Sequence, residues 1–179
     1  MMQRIFTQQT AEEARDSVCT VQMGGERFAV RLTDVVEVVT AAQISPYPLS
    51  PEYVAGLMHY RGDVLTVVHL RSLLGLPASA QTKAGNVCVV MAGTHGLFAL
   101  QVEDMGAVHA LEASKLQIVP ATTDAQRHVF LRGVYPLDSE LLPLLDVQRL
   151  EPVALRAWAA AHVHETTAAG SHPQQAMAS

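Results

Sequence analysis

The sequence predicts an all-β protein made of two small, similar β subdomains with short helices and a C-terminal helix. Three observations carry this. Residues 18–150 hold 20 of the 22 valines in the 179-residue chain, and β-branched residues favour strands. Two hairpin signals recur, each a pair of alternating apolar runs around a glycine turn. The segments also repeat in a shared order, as duplication of one supersecondary unit would give.

Taken in order, residues 1–17 are polar and read as a flexible lead-in without the apolar stretch of a signal peptide. Cys19, Val21 and Met23 alternate with Val18, Thr20 and Gln22. Gly24-Gly25 then turns the chain, and Phe28, Val30 and Leu32 resume the alternation. Val35-Val36-Glu37-Val38-Val39 follows as a strand or a short helix. Glu37 interrupts this apolar run. It either pairs with a cation, Arg61 being the candidate, or faces solvent; spacing leaves both readings open. Val54 to Asp63 is an apolar stretch ending in an Arg61-Gly62 turn. Val64 to Val68 is a strand, and a helical turn closes at Gly75.

The stretch Pro77 to Ala84 is the expected boundary between subdomain 1, about 18–83, and subdomain 2, about 84–150. Val87 to Met91, a Gly93-Thr94-His95-Gly96 turn and Leu97 to Val102 form the second hairpin. Pro143, between Leu141-Leu142 and Leu144-Leu145, places its strand at an edge or on a bulge. Residues 151–165 read as a C-terminal helix. Pro152 opens it at a permitted first-turn position, and Leu155 and Trp158 share one face. The composition of 166–179 predicts a disordered tail.

The repeat runs through these elements. Val18-Cys19-Thr20-Val21 matches Val87-Cys88-Val89-Val90, Phe28-Ala29-Val30 matches Phe98-Ala99-Leu100, and Asp34 matches Asp104. Asp63 to Leu70 matches Glu140 to Val147, and Leu73 matches Leu150. Each half thus carries hairpin, loop, strand and short helix.

Composition narrows function. Twelve Lys and Arg against seventeen Asp and Glu give a net charge of −5, and aromatics are 5% of residues. That balance opposes phosphate-backbone binding and base stacking. No apolar run approaches the roughly 20 residues needed to span a bilayer, so membrane insertion is not expected. Cys19 and Cys88 lie in apolar runs and read as buried thiols of a reducing compartment. No phosphate loop, nucleophile elbow or zinc-helix motif occurs. His162, His164 and Glu165 are neighbours, but the two histidines point to different helix faces, so they read as solvated residues. No catalytic residue, metal or cofactor is expected.

Val35-Val36-Glu37-Val38-Val39, then Gly56-Leu57-Met58-His59-Tyr60-Arg61-Gly62, then Val64 to Arg71, and finally Leu141 to Val147 resemble the CheW family of chemotaxis coupling proteins. The resemblance spans about residues 17–150. It implies two five-stranded, SH3-like β-barrels and no enzymatic activity. It also implies a cytoplasmic adaptor that joins the cytoplasmic tip of methyl-accepting chemoreceptors to the regulatory domain of a CheA-type histidine kinase. By that resemblance Val35, Glu37, Gly56 and Arg61 fall near the receptor-facing region, and Gly62 supplies the turn. The sequence departs from the family at His59, Thr66 and His69, and Gly106-Ala107-Val108 lacks the acidic residue often found there. His69 stands where the second half has Asp146, which implies a pH-dependent surface between pH 6 and 7.5, around the ordinary histidine pKa of about 6.5. Two other classes stay open: a small ligand- or nucleic-acid-binding β-barrel, and a hydrolase using the Cys88 thiol.

Overall fold

The structure, a computed structural model, describes residues 17–40, 42–77, 87–137 and 140–168. The expected lead-in to residue 16, most of the Pro77–Ala84 boundary and the tail from 169 lie outside these residues. Among the described residues are ten strands in two similar runs, the first being β1 (Ser17–Met23), β2 (Glu26–Arg31), β3 (Val35–Val39), β4 (Val54–Tyr60), β5 (Asp63–His69) and α1 (Leu70–Leu73). The second run is β6 (Val87–Ala92), β7 (Leu97–Val102), β8 (Asp104–Ala110), α2 (Ala125–Phe130), β9 (Leu131–Leu137), β10 (Glu140–Leu145), α3 (Val147–Leu150) and α4 (Pro152–Ala168).

The strands form two five-stranded sheets. The first has the order β8-β1-β2-β10-β9 and the second β3-β6-β7-β5-β4. The orders are equivalent when each strand of one half is replaced by its repeat partner. The division at residues 83/84 is therefore corrected: each hairpin has crossed over. The β1–β2 hairpin belongs to the sheet of β8, β9 and β10, and β6–β7 belongs to that of β3, β4 and β5. Two parallel pairings seal the exchange, β2 with β10 through Ala29 and Leu144, and β7 with β5 through residues 99–101 and 67–69. The repeat hides this, because two hairpins with the same apolar alternation carry no sequence label for the sheet they join.

The exchanged strands are buried on both faces. Phe28 and Val30 of β2 enter one large cluster together with Phe98 and Leu100 of β7, Leu70 and Leu73 of α1, and Leu150 of α3. The intervening residues point the other way. Ala29 joins Val18, Leu142 and Leu144 inside the first sheet, and Ala99 joins Met58, Leu65, Val67, Cys88 and Val90 inside the second. Period-2 alternation thus feeds a shared core from one strand face and a private core from the other. The two β subdomains therefore share one core between the sheets in addition to a smaller one inside each sheet.

Pro143 sits in β10, between β9 and β2, and not at an edge. It is tolerated because β10 meets β2 at one residue pair, and the ladder to β9 shifts register at Leu144/Leu145. Leu155 is fully buried, and Trp158 meets Phe130 edge-on with ring centroids 5.3 Å apart. These contacts hold α4 to the shared core.

The two hairpin tips are held by carboxylates. The Glu103 side chain accepts the Gly24 N–H at 2.9 Å and pairs with Arg71 of α1. Glu151, at the α3–α4 junction, accepts the N–H groups of Thr94 and His95 and contacts His95 Nδ1 at 2.8 Å. Its side chain is 3% exposed. Burial alone would raise its pKa, but these hydrogen bonds outweigh burial and lower it.

Candidate partner-binding site

The second sheet exposes two outer strands, β3 and β4. Glu37, midway along β3, spans them. Its Oε2 lies 2.7 Å from Arg61 Nη2 and accepts the Tyr60 hydroxyl, also at 2.7 Å. The alternative left open by spacing, a solvated Glu37, gives way to an ion pair. Arg61 stays 71% exposed and Glu37 25% exposed at the side chain, so the pair lies on the rim. An exposed pair contributes about 0–1 kcal/mol, far below the buried limit. Its value lies in geometry more than stability.

The turn that presents Arg61 is tight. Arg61 has φ 51° and Gly62 φ 95°, so both central residues of the β4–β5 turn are left-handed. A two-residue hairpin needs this to match strand twist, and glycine supplies it freely at position 62. Arginine at 61 adopts it against steric preference. The guanidinium lies 5.1 Å from the Tyr60 ring centroid, within cation–π range.

Gly56 stands apart from this rim. It is buried in β4, where the register to β5 shifts, and has φ 147°. A side chain there would strike the Ser45 carbonyl oxygen and come within 2.9 Å of Ile44 Cγ2. The missing Cβ lets Ser45 and Leu57 exchange backbone hydrogen bonds of 2.8 and 2.9 Å. Gly56 therefore shapes the strand that ends at Arg61. Val35 is half-buried against the shared core, and its neighbour Val36 is exposed.

Tyr60 is the residue that sequence reasoning missed. The signal was present: Met58 and Tyr60 share a strand face, and a buried phenol requires a polar partner. Its pKa is raised by burial first, then by the hydrogen bond to Glu37 and the carboxylate charge.

His69 ends β5, with Nδ1 2.9 Å from Ser72 Oγ. Burial, then the Arg71 charge, lowers its pKa from the ordinary histidine value, which shifts its titration toward acid pH. The Cys19 and Cys88 thiols are buried, and burial pushes their pKa values up to about 12 and about 11. Such thiols stay protonated at neutral pH, which removes the basis for a thiol nucleophile. Among the described residues no three His, Cys, Asp or Glu form a metal-ligand group, and no helix is long and apolar enough to cross a membrane.

Comparison with known proteins agrees with this architecture. The probable chemotaxis protein CheW of Rhizobium etli is 24% identical over 129 residues, covering 72% of this chain and 83% of that one. The chemotaxis protein CheW of Rhizobium meliloti is 24% identical over 131 residues, covering 73% and 84%. The crystal structure of the scaffolding protein TtCheW from Thermoanaerobacter tengcongensis superposes with a TM-score of 0.68 at 20% identity, covering 76% of this chain and 92% of that one. The CheW-like domain family matches residues 17–152, which include all ten strands, and the chain belongs to that family.

Proposed function

We propose that this protein is a non-enzymatic cytoplasmic adaptor coupling chemoreceptors to a CheA-type histidine kinase. The observation that carries the reading is the CheW-like match across residues 17–152, which takes in both sheets and the Glu37–Arg61 rim. The relatives are chemotaxis proteins by name, and the solved neighbour is a scaffolding protein. The physical properties suit an adaptor. Exposed apolar side chains, Val36 and Val64 among them, stand on a β scaffold whose tips are tied by side chains.

In this reading the receptor's cytoplasmic tip docks on the rim of the second sheet, near Val35 and Glu37 of β3 and Arg61 of the β4–β5 turn. Gly56 and Gly62 shape the backbone beneath it. The kinase regulatory domain docks elsewhere on the same scaffold. The test is reconstitution with the receptor cytoplasmic fragment and CheA-type kinase from the same genome. The protein should carry kinase into sedimenting receptor assemblies and raise autophosphorylation there. Kinase that fails to join receptor when this protein is added would refute the coupling role.

A further inference from the structure

We infer that Tyr60 is a positioning residue: its phenol fixes the Glu37 carboxylate, and through that carboxylate the aim of the Arg61 guanidinium at the receptor. The inference rests on the receptor-coupling reading and adds a residue to it.

The β4–β5 tip is an exposed structure with one anchor. His59, Arg61, Gly62, Asp63 and Val64 are all exposed, whereas Tyr60 is 7% exposed and joins the private core of the second sheet. Tyr60 touches both members of the ion pair. Its hydroxyl donates to Glu37 Oε2, and its ring lies beside the Arg61 guanidinium. The same carboxylate oxygen accepts Arg61 Nη2.

An exposed arginine otherwise samples many rotamers, and a partner that captures it bears that ordering entropy. A carboxylate held by a buried phenol reduces the entropy lost on docking. The phenol is suited to the task, because burial and the adjacent carboxylate keep it protonated and donating through neutral pH. Phenylalanine would keep the ring and its packing and lose only the hydroxyl.

The experiment uses the full chain and a double-mutant cycle of Tyr60→Phe and Glu37→Ala. Affinity for the receptor cytoplasmic fragment and thermal unfolding are both measured. Tyr60→Phe should weaken binding about 3- to 10-fold, the scale of one ordinary net hydrogen bond, with a small change in unfolding midpoint. In the Glu37→Ala background the same substitution should add nothing. Wild-type affinity in Tyr60→Phe, or an undiminished Tyr60→Phe effect in the Glu37→Ala background, overturns the inference. A second arm needs no receptor. With labelled tyrosine, the Tyr60 ring carbon bearing the hydroxyl is titrated by NMR. Glu37→Ala should lower its pKa, and an unmoved pKa would show that the phenol and carboxylate are uncoupled. Failure of wild-type protein to bind any receptor fragment would sink the coupling reading while this titration still decides the geometry.

Discussion

The two five-stranded sheets share a backbone plan and differ in how their outer strands are tied. In each, a glycine in an outer strand lies against a carbonyl oxygen from a crossing segment, Gly56 against Ser45 in the second sheet and Gly133 against Gln117 in the first. The following residue completes an antiparallel bridge, Leu57 with Ser45 and Val134 with Gln117. The side chains then diverge. In the second sheet Glu37 links β3 to Tyr60 and Arg61. In the first, the corresponding part of β8 is Gly106-Ala107-Val108, without a carboxylate, and β9 ends at Leu137, packed against apolar neighbours. Among the described residues the first sheet has an ion pair between its inner strands, Arg27 of β2 with Glu140 of β10, and none between its outer strands β8 and β9. The shared backbone plan forms there without an ion pair between outer strands, which supports the proposal that the Glu37–Arg61 pair serves partner binding.

The largest expected effect tests the shared plan. Gly56→Ala should destabilise the protein by about 3 kcal/mol or more, since a Cβ would meet the Ser45 carbonyl and alanine strongly disfavours φ 147°. Gly133→Ala should be milder, about 1–3 kcal/mol, because its clash with the Gln117 oxygen at 2.7 Å carries no left-handed backbone strain. Denaturant midpoints at constant slope measure both. Equal losses would mean that the two glycines serve by close approach alone.

The next effect separates the two hairpin tips. Glu151→Gln should cost about 1–3 kcal/mol at neutral pH, because a buried carboxylate accepting backbone N–H groups is replaced by a weaker acceptor. The folded pKa of Glu151 lies below its ordinary 4.5, so its stabilisation is present above that value and lost as pH falls through the lowered one. Wild type should thus lose stability at acid pH more steeply than Glu151→Gln. Unfolding free energies measured from pH 7 to 3 check this, and parallel acid limbs in the two proteins would refute it.

The comparison also explains what the sequence could disclose. Alternation and paired glycines are local signals, so both hairpins and the order of the repeat were legible. The exchange was not, since it depends on parallel pairings between residues far apart, such as Ala29 with Leu144. The Glu37–Arg61 pair was legible as one of two readings, because an acid inside five apolar-flanked positions demands an account. Tyr60 was overlooked because an aromatic on a core-facing position looks like packing until its hydroxyl partner is seen. Glu151 gave even less signal: beside Pro152 it reads only as a helix start. Gly56 resembled a contact residue, yet its burial makes it a backbone determinant.

The smallest effect on stability belongs to Arg61→Asn, and it sharpens the comparison most. Asn-Gly is the preferred pair for a two-residue turn with both φ values positive, so asparagine relieves about 1 kcal/mol of left-handed strain at position 61. Against this stand an exposed ion pair contributing about 0–1 kcal/mol and a cation–π contact contributing about 0.5–1 kcal/mol. The terms nearly cancel, and unfolding stability should stay within about 1 kcal/mol of wild type. Receptor binding should nonetheless fall, because asparagine cannot supply the guanidinium's remaining donors. A stability loss above about 2 kcal/mol would make the Glu37 tie a structural element of the second sheet, against the lesson of the first. Unchanged receptor affinity in a stable Arg61→Asn protein would take the guanidinium out of the site and leave the turn's shape as its contribution.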